Sequence, residues 1–115
     1  MEVIVVNSAE IFKIQPERIW VQVAEGVPAS LVTQYIQRCL TALPSAKAAL
    51  ERSDYAHMRV LGHRLKGSGG AYGIPALTIV GSGLEEAARQ VDMPGLQRQL
   101  AELEALLGRI DILPQ

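Results

Sequence analysis

Tyr55-Ala56-His57-Met58-Arg59-Val60-Leu61-Gly62-His63-Arg64-Leu65-Lys66-Gly67-Ser68-Gly69-Gly70-Ala71-Tyr72 carries a repeat at helical spacing. Met58, Leu61, Leu65, Ser68 and Tyr72 step by 3, 4, 3 and 4 residues, which lays them along one face of a helix. Gly73 is a natural terminator, and Pro75 suits the first turn of a following helix. On this helix His63 lies about 160° from both Leu61 and Leu65 and points away from the core. Lys66 at i+3, Gly67 at i+4 and Gly70 at i+7 share its outward face.

The same periodicity runs outward in both directions. Upstream, Pro28 suits a first turn, and Val32, Ile36, Cys39, Leu43, Ala46 and Leu50 recur at spacings of 4, 3, 4, 3 and 4. Pro44 lacks an amide donor and predicts a kink or a split near Leu43. Ser53-Asp54 offers a stop and the next cap. Downstream, Leu77, Val80, Gly81, Leu84, Ala87 or Ala88, and Val91 line a third helix. Asp92 caps a fourth, with Pro94 in its first turn and Leu96, Leu100, Leu103, Leu107 and Ile110 along one side.

Four amphipathic helices on short connections cannot bury their stripes singly. They predict an all-α fold, an antiparallel up-down four-helix bundle over residues 28–113. Residues 1–27 form a short N-terminal extension expected to pack on the bundle. There Val3–Val6 is short and β-branched, and Ile19, Val21 and Val23 alternate with Arg18, Trp20 and Gln22. Alternation favours an extended segment at 18–23, although Pro16 could open a short helix instead.

Composition excludes several classes of function. The 115 residues suit one domain, and 4% aromatics leave an aliphatic core. A net charge of −1 gives no drive toward nucleic acid or an anionic membrane. No apolar run approaches a membrane span, and the start lacks the features of a signal peptide, so a cytoplasmic location is expected. Met1 and the complete bundle favour a free-standing protein, expected to be a monomer. Cys39 is the only cysteine and falls in the apolar stripe, so it is read as core. One cysteine and two histidines six residues apart give no metal-ligand spacing, and no metal site is expected. The glycines fit neither a P-loop nor a dinucleotide fingerprint.

The chemistry rests on His63. A neutral imidazole is a nitrogen nucleophile near neutral pH and can carry a phosphoryl group. Phosphoryl transfer needs in-line approach and neutralisation of the equatorial oxygens, which Lys66 can supply. Gly67, Gly69 and Gly70 inside a helical pattern would each cost roughly 0.8–1 kcal/mol, about 3 kcal/mol together. Gly69 is read as a close-packing glycine and Gly67 as one that leaves the imidazole open to a large partner. Ser68, about 140° round the helix from His63, is expected to bond to backbone or to an adjacent helix.

His63-Arg64-Leu65-Lys66-Gly67-Ser68 resembles the His-x-x-Lys-Gly-Ser motif of histidine-containing phosphotransfer (HPt) domains. Gly73 and Leu77 resemble the family's Gly-x-x-x-Leu, and Gly81 with Leu84-Glu85 its small residue followed by Leu-Glu. The likeness covers roughly residues 28–111, and Val21–Val23 also fits. It implies a bundle without catalytic machinery of its own. His63 would accept phosphate, on Nε2, from a response-regulator receiver aspartate and pass it to another or return it. A hybrid sensor histidine kinase would stand upstream, and the required Mg²⁺ would belong to the receiver. Lys66 would stabilise the phosphohistidine, Gly67 would permit close approach, and Glu85 would lie near His63. Arg59 and Arg64 flank the site and either contact an acidic receiver surface or stand as plain solvated charge; Val60 and Gly70 are read with them as partner-facing, and Ser68 and Glu85 as lying behind the site.

Two rivals are distinguishable. A histidine kinase phosphoacceptor region usually has an acidic residue after the histidine, where this chain has Arg64, and no ATP-binding segment follows. A phosphate-independent helical adaptor would use an apolar patch of Trp20, Leu31, Tyr35 and Val60. Trp20 is otherwise read as a lid on the core, and His57 as a structural side chain.

Overall fold

The computed structural model describes residues 19–23 and 25–112. The elements in chain order are β1 (Ile19–Val21), α1 (Ala29–Glu51), α2 (Tyr55–Ser68), α3 (Pro75–Arg89), α4 (Met93–Arg109) and β2 (Ile110–Ile112). Consecutive helices pack on one another and α1 closes against α4, giving the four-helix bundle. The parts of the extension at residues 1–18 and 24, including Val3–Val6, Pro16 and Arg18, lie outside the described residues.

Local chemistry sets the helix ends. Ser53, at φ 57°, turns the chain out of α1, and the Asp54 amide donates back to Ala49 O at 2.8 Å. The Asp54 carboxylate then accepts from the His57 amide at 3.0 Å and starts α2. Asp92 does the same for α4 through the Gly95 amide at 3.0 Å. Gly73, at φ +80°, makes the turn into Pro75 at the head of α3.

The core is aliphatic. Met58, Ile74, Leu77, Leu84, Leu96 and Leu103 are its largest fully buried side chains, with Val21 and Val32. Of the segment whose alternation favours extension, Ile19–Val21 forms a strand; Val21 and Val23 are buried, Trp20 and Gln22 exposed. β1 pairs in parallel with β2, Ile19 opposite Ile110 and Val21 opposite Ile112, which ties the chain before α1 to the chain after α4.

Several expectations are corrected. Pro44 does not split α1, which runs unbroken from Ala29 to Glu51. Pro44 is exposed, so water can reach the carbonyl one turn back that a proline amide cannot serve. The α1 core stripe uses Tyr35 and Ala49 where Ile36 and Leu50 were expected; the latter two are half-buried. α2 ends at Ser68, so Gly69 and Gly70 lie in the turn after it and only Gly67 of the three bears a helix-interior cost. Val91 lies beyond α3, exposed and at φ 55°. Ile110 opens β2 instead of completing α4. Trp20 is 53% exposed and is no lid.

Candidate phosphoryl-transfer site

The site is built where α2 and α3 touch through glycines. A Cβ on Gly62 would meet Glu85 N at 2.5 Å and Gly81 O at 2.7 Å. A Cβ on Gly81 would meet Gly62 O at 2.7 Å and clash with the Lys66 amide. The backbones therefore meet directly, and Glu85 of α3 stands beside His63 of α2.

His63 projects outward with its side chain 74% exposed. Glu85 is only 8% exposed. Its Oε2 lies 3.0 Å from His63 Nδ1, and its Oε1 accepts from Lys66 Nζ at 3.2 Å. These two hydrogen bonds, His63 first, hold the Glu85 carboxyl below the usual carboxylate range. Glu85 is thus ionised at neutral pH and can only accept, so Nδ1 must carry the proton. In the neutral ring this leaves the lone pair on Nε2.

Arg59, Val60, Arg64, His63 and Glu85 together line a cleft of about 280 Å³. Gly67 has nothing within 4 Å of the position its Cβ would take, so no packing contact within the described chain requires a glycine there. Gly69 is different: a Cβ would meet Thr78 N at 2.7 Å. Gly70 sits in the turn and donates its amide to Thr78 Oγ1 at 2.9 Å, so it does not share a helix face with His63. Ser68 stays away from the imidazole. Its hydroxyl donates to Arg64 O at 2.7 Å and meets the Tyr35 hydroxyl at 2.7 Å. Tyr35, 6% exposed and stacked on Tyr72 at 4.2 Å, is therefore not part of an apolar docking patch.

Arg89 was not foreseen. It stands one turn beyond Glu85 on α3, with Nη2 3.8 Å from Glu85 Oε2, and it also pairs with Glu86. The i,i+4 spacing from Glu85 was the available signal. Among the described residues no cluster of His, Cys, Asp or Glu stands ready to hold a metal, and no helix is long and apolar enough to cross a membrane.

A buried carboxylate on one helix of the bundle thus orients an exposed imidazole on the next. The Hpt domain family model matches residues 30–112, and the chain belongs to that family. Membership brings histidine phosphotransfer in phosphorelays and interaction with their receiver domains and histidine kinases. Neither a curated protein nor a solved structure matches the chain.

Proposed function

We propose that His63 accepts a phosphoryl group from a receiver-domain aspartyl phosphate and passes it to another receiver aspartate, or returns it. Nε2 attacks phosphorus in line. The Nε2–P bond forms as the P–O bond to the aspartate breaks, and the carboxylate leaves with the electron pair. The proton on Nδ1 stays with the ring, held by Glu85. One observation carries this reading: an exposed imidazole has its inner nitrogen tied to an ionised, buried Glu85, so the outer nitrogen is the nucleophile.

Lys66, anchored on the same carboxylate as His63, brings a positive charge that can neutralise phosphoryl oxygens. Gly67 leaves the adjacent surface low, and Arg59, Val60 and Arg64 offer basic and apolar contacts to an acidic receiver mouth. The receiver supplies the Mg²⁺ that transfer needs. A hybrid sensor kinase feeds the relay, and the chain acts in the cytoplasm as a monomer without kinase activity of its own.

The test is incubation with a phosphorylated receiver, comparing the native chain with His63→Gln. Native protein should take the label and the variant should take none while keeping its helical content, because His63 packs nothing. Label on the His63→Gln protein would overturn the proposal, and labelling of the native chain by ATP alone would overturn the absence of kinase activity.

A further inference from the structure

Glu85 Oε2 has two claimants: His63 Nδ1 at 3.0 Å and Arg89 Nη2 at 3.8 Å. We infer that Arg89 is a positioning residue that acts through Glu85, loosening its hold on the Nδ1 proton and so lengthening the life of the phosphohistidine. The inference rests on the phosphotransfer reading of His63.

The chemistry of the P–N bond gives the sign. When the bond breaks, the electron pair stays on Nε2. A ring that keeps its Nδ1 proton leaves as neutral imidazole. A ring that has lost it must leave as imidazolate, a far poorer leaving group. In hydrolysis the oxygen of water bonds to phosphorus, the ring departs, and the released proton goes to solvent. Lability therefore follows how firmly Nδ1–H is held, and Glu85 is the group that holds it.

The charges facing Glu85 come from two helices. From α2 come His63 and Lys66, with Arg59 and Arg64 on the cleft rim. From α3 come Arg89 and Glu86. Lys66 takes the opposite oxygen, Oε1, so Arg89 is the cation that competes with the imidazole for Oε2. Glu86 holds Arg89 through Nη1 and is itself held by Gln90 Nε2 at 2.7 Å. The share of Arg89 that reaches Glu85 is thus set by its neighbour on the same helix.

The experiment charges the intact chain from a receiver domain phosphorylated with acetyl phosphate, removes the receiver, and follows loss of the phosphohistidine ³¹P signal across pH. Arg89→Ala should shorten the lifetime about threefold near neutral pH and move the midpoint of its pH profile up by about half a unit, the scale of a partly screened charge at this distance. Arg89→Lys should restore most of the lifetime. Glu86→Gln should lengthen it by releasing Arg89 toward Glu85. In a Glu85→Gln background Arg89→Ala should change nothing further.

An unchanged lifetime and pH profile in Arg89→Ala would overturn the inference while leaving His63 as the acceptor. So would an equal effect of Arg89→Ala in the Glu85→Gln background, which would place Arg89 directly on the phosphoryl group. A native chain that takes no label would overturn the phosphotransfer reading, and this inference with it.

Discussion

On one side α2 meets α3 backbone to backbone; on the other it meets α1 through long side chains. The α2–α3 seam closes on Gly62 and Gly81, with Gly69 against Thr78 and Leu77 further along. The α1–α2 seam stands open, with clefts of about 950 and 340 Å³ along it. Across it Tyr35 reaches the Ser68 hydroxyl, and its ring stacks on Tyr72. The difference assigns separate jobs. A backbone-to-backbone seam fixes Glu85 against His63 with little room for error. A seam bridged by side chains holds the bundle together without reaching the imidazole.

The largest effect should come from closing the space at the glycine seam. Gly62→Ala places a methyl group into the Glu85 amide and the Gly81 carbonyl. Neither is a flexible side-chain end that can swing away, so the helices must separate. The loss should exceed about 3 kcal/mol, above the usual overpacking cost because backbone must move. The gain in helix propensity of about 1 kcal/mol cannot offset it. Urea denaturation measures this directly. A Gly62→Ala protein as stable as the native one would break the comparison, because α2 and α3 would then have slack.

The bridged seam should respond more gently. Tyr35→Phe removes the hydroxyl that meets Ser68, while Ser68 keeps its bond to the Arg64 carbonyl. Ser68 is not orphaned and only a weak thiol contact at Cys39 goes with the hydroxyl, so the loss should be about 0.5–1.5 kcal/mol. Alkali gives a second readout. Burial pushes the Tyr35 hydroxyl up to about 12 from an ordinary 10. Its folded value is raised, so its contribution is intact below pH 10 and is lost as pH rises toward 12. The native chain should therefore lose more stability across that window than Tyr35→Phe does, in paired denaturation curves. Parallel curves would show that the hydroxyl is not shielded.

Much of this layout was legible in the residue order. The four helices, their caps at Asp54 and Asp92 and the Gly73 turn follow from local chemistry, which nearby sequence encodes. The outward direction of His63 followed from the phase of its stripe. What escaped were features that depend on a facing surface. Gly62 lies four residues after Met58 and three before Leu65, on the core face, which signals close approach, but its partner Gly81 is on another helix. Periodicity alone favours the more apolar Ile36 and Leu50 over Tyr35 and Ala49. A tyrosine is buried when its hydroxyl finds a partner, and Ser68 could be named as that partner only from the fold. Trp20 reads as a lid on the core, yet alternation with buried Val21 places it on the outside of β1.

Gly67 sharpens the comparison with the smallest effect and the opposite sign. Like Gly62 it interrupts α2, but nothing within 4 Å would meet an added Cβ. Gly67→Ala should therefore raise stability by about 0.8–1 kcal/mol, the ordinary propensity gain at an exposed helix position. If this glycine keeps the surface low for a receiver, the same variant should slow phosphoryl transfer from that receiver, and Gly67→Gln should slow it further. A small phosphodonor such as phosphoramidate needs no docking face, so its rate of labelling His63 should stay unchanged in both variants. Stability rising while receiver transfer alone falls would separate a glycine kept for a partner from one kept for packing. Equal receiver-transfer rates in the native chain, Gly67→Ala and Gly67→Gln would remove Gly67 from the docking surface.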